Sequence, residues 1–189
     1  MKKKLLKKWE INKEKKILLM PGRLTPWKGQ ELLIEAINLV KVELGYEPFH
    51  VVILGSDQGR DLYKKKLIRL IEQYRLTNQI KLIEHCKDMA LAYKVSDVIV
   101  SASIEPEAFG RVAVEAQSME KLIIASNIGG SNETIVNGKT GILFESGDAK
   151  SLSEKLIQAV TMDDSLIEFI GKEGRKNIIK KFNVEKMCF

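Results

Sequence analysis

Cysteine is scarce in this chain: Cys86 and Cys188 are the only two in 189 residues, far apart and in no metal-ligand spacing. A disulfide framework is therefore not expected. Long apolar runs are missing as well. None approaches the roughly 18 residues a membrane span needs, and Met1-Lys2-Lys3-Lys4 leads into more charge rather than into the apolar core of a secretory signal. The expected location is cytoplasmic. The familiar nucleotide and metal signatures are also absent: no G-x-G-x-x-G follows the first apolar run, and there is no G-x-x-x-x-G-K-[ST], H-E-x-x-H or Asp-x-Asp. Those absences argue against a nicotinamide or flavin enzyme, a P-loop ATPase and a carboxylate-held metal. No internal repeat, low-complexity insert or linker is present.

An excess of basic charge is present but local. The net charge is +6, and residues 1–16 hold eight of the 31 Lys and Arg and two of the 25 Asp and Glu, which leaves 23 of each sign elsewhere. The remainder is electrically neutral, and without aromatic interleaving or a helix-turn-helix pattern it gives no sign of nucleic-acid binding. The basic segment reads as a solvated, partly helical lead-in. A peripheral contact with the anionic inner face of a membrane is the other reading of it.

What the chain does contain is alternation. With 44% hydrophobic and 30% charged residues it suits one soluble domain with a sizeable core. From Lys16 onward, short Ile- and Val-rich runs alternate with helical patterns, which predicts an α/β fold with a doubly wound, Rossmann-like parallel sheet. Six strands are expected, over Ile17 to Pro21, His50 to Gly55, Ile80 to Ile83, Asp97 to Ser101, Leu122 to Ser126 and Gly141 to Phe144. Between them, Leu32, Leu33, Ala36, Ile37 and Val40 make one helical stripe, and Tyr63, Leu67, Leu70, Ile71 and Tyr74 another. Shorter helices are expected over Met89 to Lys94 and Asn132 to Val136, one capped by Asp148 and running to Val160, and a last one over Ser165 to Lys181.

In such a sheet, ligands bind in the crevice outside the carboxyl ends of the strands, so the loops that follow the strands carry the candidate chemistry. After the first strand, Gly22-Arg23-Leu24-Thr25-Pro26-Trp27-Lys28-Gly29 places a guanidinium and an ammonium five residues apart. That pair suits a pyrophosphate, with Arg as a donor fork and Lys as a point charge. The plain alternative is Thr25 capping a helix with Pro26 in its first position, Arg23 and Lys28 being merely solvated.

After the fourth strand, Glu105-Pro106-Glu107-Ala108-Phe109-Gly110 runs straight into a helical pattern in which Phe109, Val112, Ala113 and Ala116 form the apolar stripe. Glu115 lies off that stripe, about 80° around and 12 Å along from Glu107 were both helical. The first-turn amides near Phe109, Gly110 and Arg111 form a natural anion site. For Glu115 the alternative is an ordinary surface salt bridge to Arg111 at i, i+4. A hydrolase pair would need carboxyls about 5 to 9.5 Å apart. Gly129-Gly130 reads either as a second close-approach loop or as a helix start capped by Ser131 or Asn132. His85-Cys86 lacks partners for a metal site, and His50, opening a strand, reads as structural.

Taken in order, these loops resemble one family. The Gly22-Arg23 to Lys28-Gly29 loop, Asp97-Val98-Ile99-Val100-Ser101-Ala102-Ser103, the Glu107 to Glu115 pair with Phe109-Gly110 between, Gly129-Gly130 with Glu133, and Gly141 to Gly147-Asp148 match the C-terminal, donor-binding half of group 1 retaining glycosyltransferases of the GT-B fold. The resemblance implies that Arg23 and Lys28 hold the diphosphate of a nucleotide sugar beside Gly22. It also implies that Glu107 contacts the sugar, amides near Phe109 and Gly110 face the phosphates, and Glu115 takes the ribose hydroxyls. The implied activity is transfer of a hexosyl group, with retention and without a metal or other cofactor, to a glycan or lipid-linked acceptor, as in polysaccharide or lipopolysaccharide synthesis.

The family holds its acceptor mainly in an N-terminal lobe that is absent from this sequence. Residues 1–16 then resemble the connection between lobes, and 17–189 the nucleotide-sugar-binding domain. An isolated module that binds nucleotide sugar but is inactive without that lobe is the alternative. One local departure stands out: Glu120 occupies a position where the family more often has glycine.

Overall fold

A computed structural model of the chain describes residues 1–11 and 14–182; Cys188 lies outside them. The elements follow the expected alternation: α1 (Lys2–Lys8), β1 (Lys16–Pro21), α2 (Gln30–Leu44), β2 (Phe49–Leu54), α3 (Asp61–Gln73), β3 (Ile80–Ile83), α4 (Met89–Val95), β4 (Val98–Ser101), α5 (Arg111–Ser118), β5 (Leu122–Ser126), α6 (Ser131–Thr134), β6 (Ile142–Phe144), α7 (Ala149–Thr161) and α8 (Asp164–Lys181). All six strands pair in parallel, in the order β3-β2-β1-β4-β5-β6. The order reverses between β1 and β4, which are paired with Leu18 opposite Val98 and Leu19 opposite Ile99. That reversal opens a crevice at the strand ends.

Both faces of the sheet are covered, which is why the strands are mostly apolar rather than alternating, with Lys81 in the edge strand β3 an exception. Leu18, Met20, Val51, Ile53, Val98 and Val100 point to one core with α2, α3 and α7, whereas Ile17, Leu19, Val52, Ile99 and Ile123 point to a second core with α4 and α5. The two expected helix stripes sit in the first core: Leu33, Ala36, Ile37, Val40 and Leu67 are fully buried there.

Three local features depart from the sequence reading. The basic lead-in is helical, but it is not wholly solvated, because Leu6, Trp9 and Ile11 are buried in the second core, Trp9 to 2% exposure. Lysines on the outer side of α1 masked that anchoring stripe. Phe109 is not on the helix stripe: α5 begins only at Arg111, after Gly110 with φ 68°, and Phe109 is half-buried with its ring edge-on to Phe182 at 5.5 Å. The helix after Gly130 is shorter than expected, ending at Thr134, and no side chain caps it. The departure at Glu120 has a physical meaning, since its φ of 55° is left-handed, the conformation in which glycine is unstrained.

Candidate active site

The crevice at the switch point is built by two loops locked together at their backbones. Residues 22–29 leave β1 with Gly22 N donating to Leu54 O at 2.9 Å and Leu24 N donating to Ser56 O at 3.0 Å, which ties the loop to the end of β2. Thr25 and Pro26 then start a single 3-10 turn, Pro26–Lys28, with Pro in its first position as the plain reading expects, although the Thr25 side chain caps nothing. At its end Gly29, φ 76°, lies so near Ala102 that a Cβ would stand 1.9 Å from the Ala102 carbonyl oxygen. Ile104 N donates to Trp27 O at 2.8 Å, fastening the same two loops again. Only glycine permits this approach, and it delivers Lys28 to the loop that carries Glu107.

A third loop sets the second one in place. A Cβ on Gly129 would meet Glu107 N and O at 2.7 Å, one on Gly130 would meet Phe109 C at 2.5 Å, and Gly130 N donates to Glu107 O at 2.7 Å. The Gly129-Gly130 pair is thus a close-approach loop whose partner is the protein's own 107–109 backbone, not a capped helix start.

The result is a cleft of about 280 Å³ lined by Pro21, Gly22, Arg23, Trp27, Lys28, Met89, Glu107, Arg111, Val112 and Glu115. Arg23, Lys28, Glu107, Glu115 and Gly22 are therefore brought together as the sequence implied, whereas Phe109 and Gly110 do not line the cleft. Gly110 instead starts α5, where the first amide to find a backbone acceptor is that of Ala113, on Gly110 O at 2.9 Å. A larger hollow of about 450 Å³ lies at the amino ends of the strands, lined by Lys16, Asp97, Lys121 and other residues of both signs. The topology places ligand chemistry at the opposite end.

Charge in the cleft is organised in two ways. Lys28 Nζ lies 2.7 Å from Glu107 Oε1 and 4.4 Å from the centre of the Trp27 ring, and Ser103 Oγ donates to the same carboxylate oxygen. Glu115 is paired not with Arg111 but with a phenol, Tyr93 Oη donating to its Oε2 at 2.7 Å. Burial, followed by the hydrogen bond to Glu115, pushes the Tyr93 hydroxyl well above the usual phenol range, so it stays a donor. Arg23 and Arg111 are exposed and, among the described residues, form no ion pair. Two cations are thus open to an anion. The sequence gives no site role to Trp27 or Met89, the one signal being the adjacency of Trp27 to Lys28, and it offers Arg111 as an anion-site amide or as a partner for Glu115 rather than as a free cation of the cleft. Among the described residues no group of three or more His, Cys, Asp and Glu is placed to hold a metal ion.

The fold has counterparts. The family model for group 1 glycosyl transferases matches residues 1–180. The chain belongs to that family. Similar curated members include the capsular polysaccharide biosynthesis glycosyltransferase CapM of Staphylococcus aureus, 33% identical over 86% of this chain and 41% of its own length. A trehalose synthase of Pyrococcus horikoshii is 30% identical over 97% of this chain and 44% of its own length. Among solved structures, a glycosyltransferase from Rickettsia africae superposes with a TM-score of 0.92 at 35% identity, covering 98% of this chain and 48% of that one. Anabaena Alr3699/HepE in complex with UDP and glucose gives 0.89 at 25% identity, covering 98% and 49%. The Rossmann-like lobe of a GT-B glycosyltransferase is therefore the fold of this group 1 chain. It spans less than half the length of those two curated relatives. No described helix is long and apolar enough to cross a membrane.

Proposed function

We propose that the switch-point cleft binds a nucleotide sugar and presents it for transfer of a hexosyl group, with retention, to a glycan or lipid-linked acceptor. The observation that carries this reading is the convergence of Arg23 and Lys28 with Glu107 and Glu115 on one cleft, from two segments far apart in sequence. It is supported by HepE, a structural neighbour solved with UDP and glucose. In this reading Arg23 and Lys28 take the diphosphate, with Arg111 as a third cation and the α5 amides facing the phosphates. Glu107 accepts from hydroxyls of the sugar and Glu115 from those of the ribose.

The chemistry then follows from the charges. The bond between the anomeric carbon and the phosphate oxygen breaks, its electron pair leaves with the nucleoside diphosphate, and the acceptor oxygen bonds the carbon on the same face while its proton passes to the departing phosphate. Arg23 and Lys28 offset the charge growing on that phosphate, which is the work a divalent ion does elsewhere, so we propose a metal-independent reaction. In this reading a second lobe holds the acceptor and excludes water during turnover, which is supported by the roughly twofold greater length of CapM and of the Rickettsia africae glycosyltransferase.

Calorimetry with UDP tests the binding part: Arg23→Ala and Glu115→Ala each weaken binding, and unchanged affinity in both refutes the site. For the basic α1, whose Lys4 and Lys8 flank an apolar hollow with Met1 and Leu5, we propose contact with anionic lipid at the inner membrane face. Co-sedimentation with phosphatidylglycerol vesicles but not phosphatidylcholine ones is the expected result, and equal behaviour with both contradicts it.

A further inference from the structure

Each carboxylate of the cleft is held by a buried hydroxyl, but the two cases leave different things free. Glu107 Oε1 receives both Ser103 Oγ and the Lys28 ammonium, so its position is fixed twice over. The Glu115 carboxylate has one hydrogen-bond partner among the described residues, the Tyr93 phenol on its Oε2, and as Glu115 lines the cleft its Oε1 is available to a ligand there.

Tyr93 is 2% exposed, sits on α4 in the second core, and does not itself line the cleft. It can touch no ligand there and can act only through Glu115. Packing would be served equally by phenylalanine; the hydroxyl is the part the carboxylate uses. A glutamate on an exposed helix face otherwise samples several rotamers, and holding it in one costs a ligand part of its binding free energy.

We infer that Tyr93 is a positioning residue for ribose selection: it pins one oxygen of Glu115 and thereby fixes the other where the hydroxyls of a ribose can donate to it. This rests on the reading of Glu115 as the ribose contact. A ligand with both hydroxyls gains from the fixed oxygen, and one lacking a hydroxyl does not. Tyr93 therefore contributes to discrimination between nucleotides rather than to affinity for phosphate.

The test compares calorimetric affinities of the chain for UDP, 2′-deoxy-UDP, 3′-deoxy-UDP and inorganic pyrophosphate. In Tyr93→Phe the preference for UDP over the deoxy forms falls by about three- to tenfold, the size expected for one hydrogen bond to a charged group that is only partly lost, and pyrophosphate affinity is unchanged. A merely structural role would move all four ligands together. Glu115→Gln abolishes the preference, and Tyr93→Phe adds nothing in that background. Preference lost in Glu115→Gln but intact in Tyr93→Phe overturns the inference and leaves the ribose reading standing, whereas preference intact in both overturns the two together. Should Tyr93→Phe fold poorly, Tyr93→Met is a second hydroxyl-free variant that adapts to irregular packing, and the same outcomes decide.

Discussion

Replacing Lys28 by alanine removes the cation at the centre of the cleft, and the structure allows its effect to be worked out. The ammonium lies 2.7 Å from Glu107 Oε1, and the two side chains are 13% and 17% exposed. A pair this deeply set lies between two limits: exposed pairs contribute at most about 1 kcal/mol, and truncating one partner of a fully buried pair costs about 3 to 5 kcal/mol. Glu107 keeps the Ser103 hydrogen bond and some access to water, so the expected loss is about 2 kcal/mol, or about 4 to 8 °C in Tm for a domain of this size. Adding Glu107→Gln to Lys28→Ala neutralises the stranded carboxylate and restores part of that loss. Binding responds in the same direction. Losing a charge-assisted contact to a diphosphate weakens UDP by roughly ten- to a hundredfold. Urea denaturation and calorimetry on wild type, the single variants and the double variant give both numbers. Wild-type stability in Lys28→Ala would refute the energetic argument, and wild-type UDP affinity would refute the assignment of Lys28.

Three further outcomes follow from other parts of the fold. Gly130→Ala drives a Cβ to 2.5 Å from Phe109 C, so the 107–109 loop must shift; thermal melting should show a loss of about 1 to 3 kcal/mol, typical of overpacking, and UDP binding should weaken although residue 130 does not line the cleft. Trp9→Ala empties a site 2% exposed and should cost about 3 kcal/mol or more, read as a fall in Tm by circular dichroism; a change within error would mean that α1 is not anchored. Burial pushes the Glu47 carboxyl up, but hydrogen bonds from Lys41 and Lys15 outweigh it and hold its pKa below the ordinary 4.5. A depressed folded value means that the stabilisation is present above that ordinary value and lost as the pH falls through the folded one. The stability gap between wild type and Glu47→Gln should accordingly be open at pH 7 and close in acid, and a gap independent of pH would contradict the pairing.

The sheet was legible because strands covered on both faces are written as short Ile- and Val-rich runs, unbroken in β4 and β5 and interrupted only by His50 in β2 and Lys81 in the edge strand β3. Ile80–Ile83 and Leu122–Ser126 fall where those runs lie, and the other strands differ by a residue at one or both ends. Arg23, Lys28 and Glu107 were legible because they sit in the segments that follow strands, and Glu115 because it lies off the apolar stripe of the helix after them. What could not be read was pairing across elements. Nothing in the spacing of Glu115 distinguishes Arg111, one turn away on its own helix, from Tyr93, 22 residues distant on α4. Likewise the two glycines at 129 and 130 signal a close approach without saying to what, and only the fold supplies Glu107 and Phe109 as the answer. Phe109 was misplaced for a related reason: the apolar period runs on through it, while Gly110 at φ 68° interrupts the helix.

The central claim is that the crevice between the ends of β1 and β4 is where a nucleotide sugar binds. A crystal structure of the chain soaked with UDP tests it most directly. The diphosphate is expected within hydrogen-bonding distance of Arg23 and Lys28, with the ribose hydroxyls on Glu115 Oε1 and the Tyr93 bond to Oε2 kept. Nucleotide density anywhere else, such as the charged hollow at the amino ends of the strands, or a ribose turned away from Glu115, would contradict it.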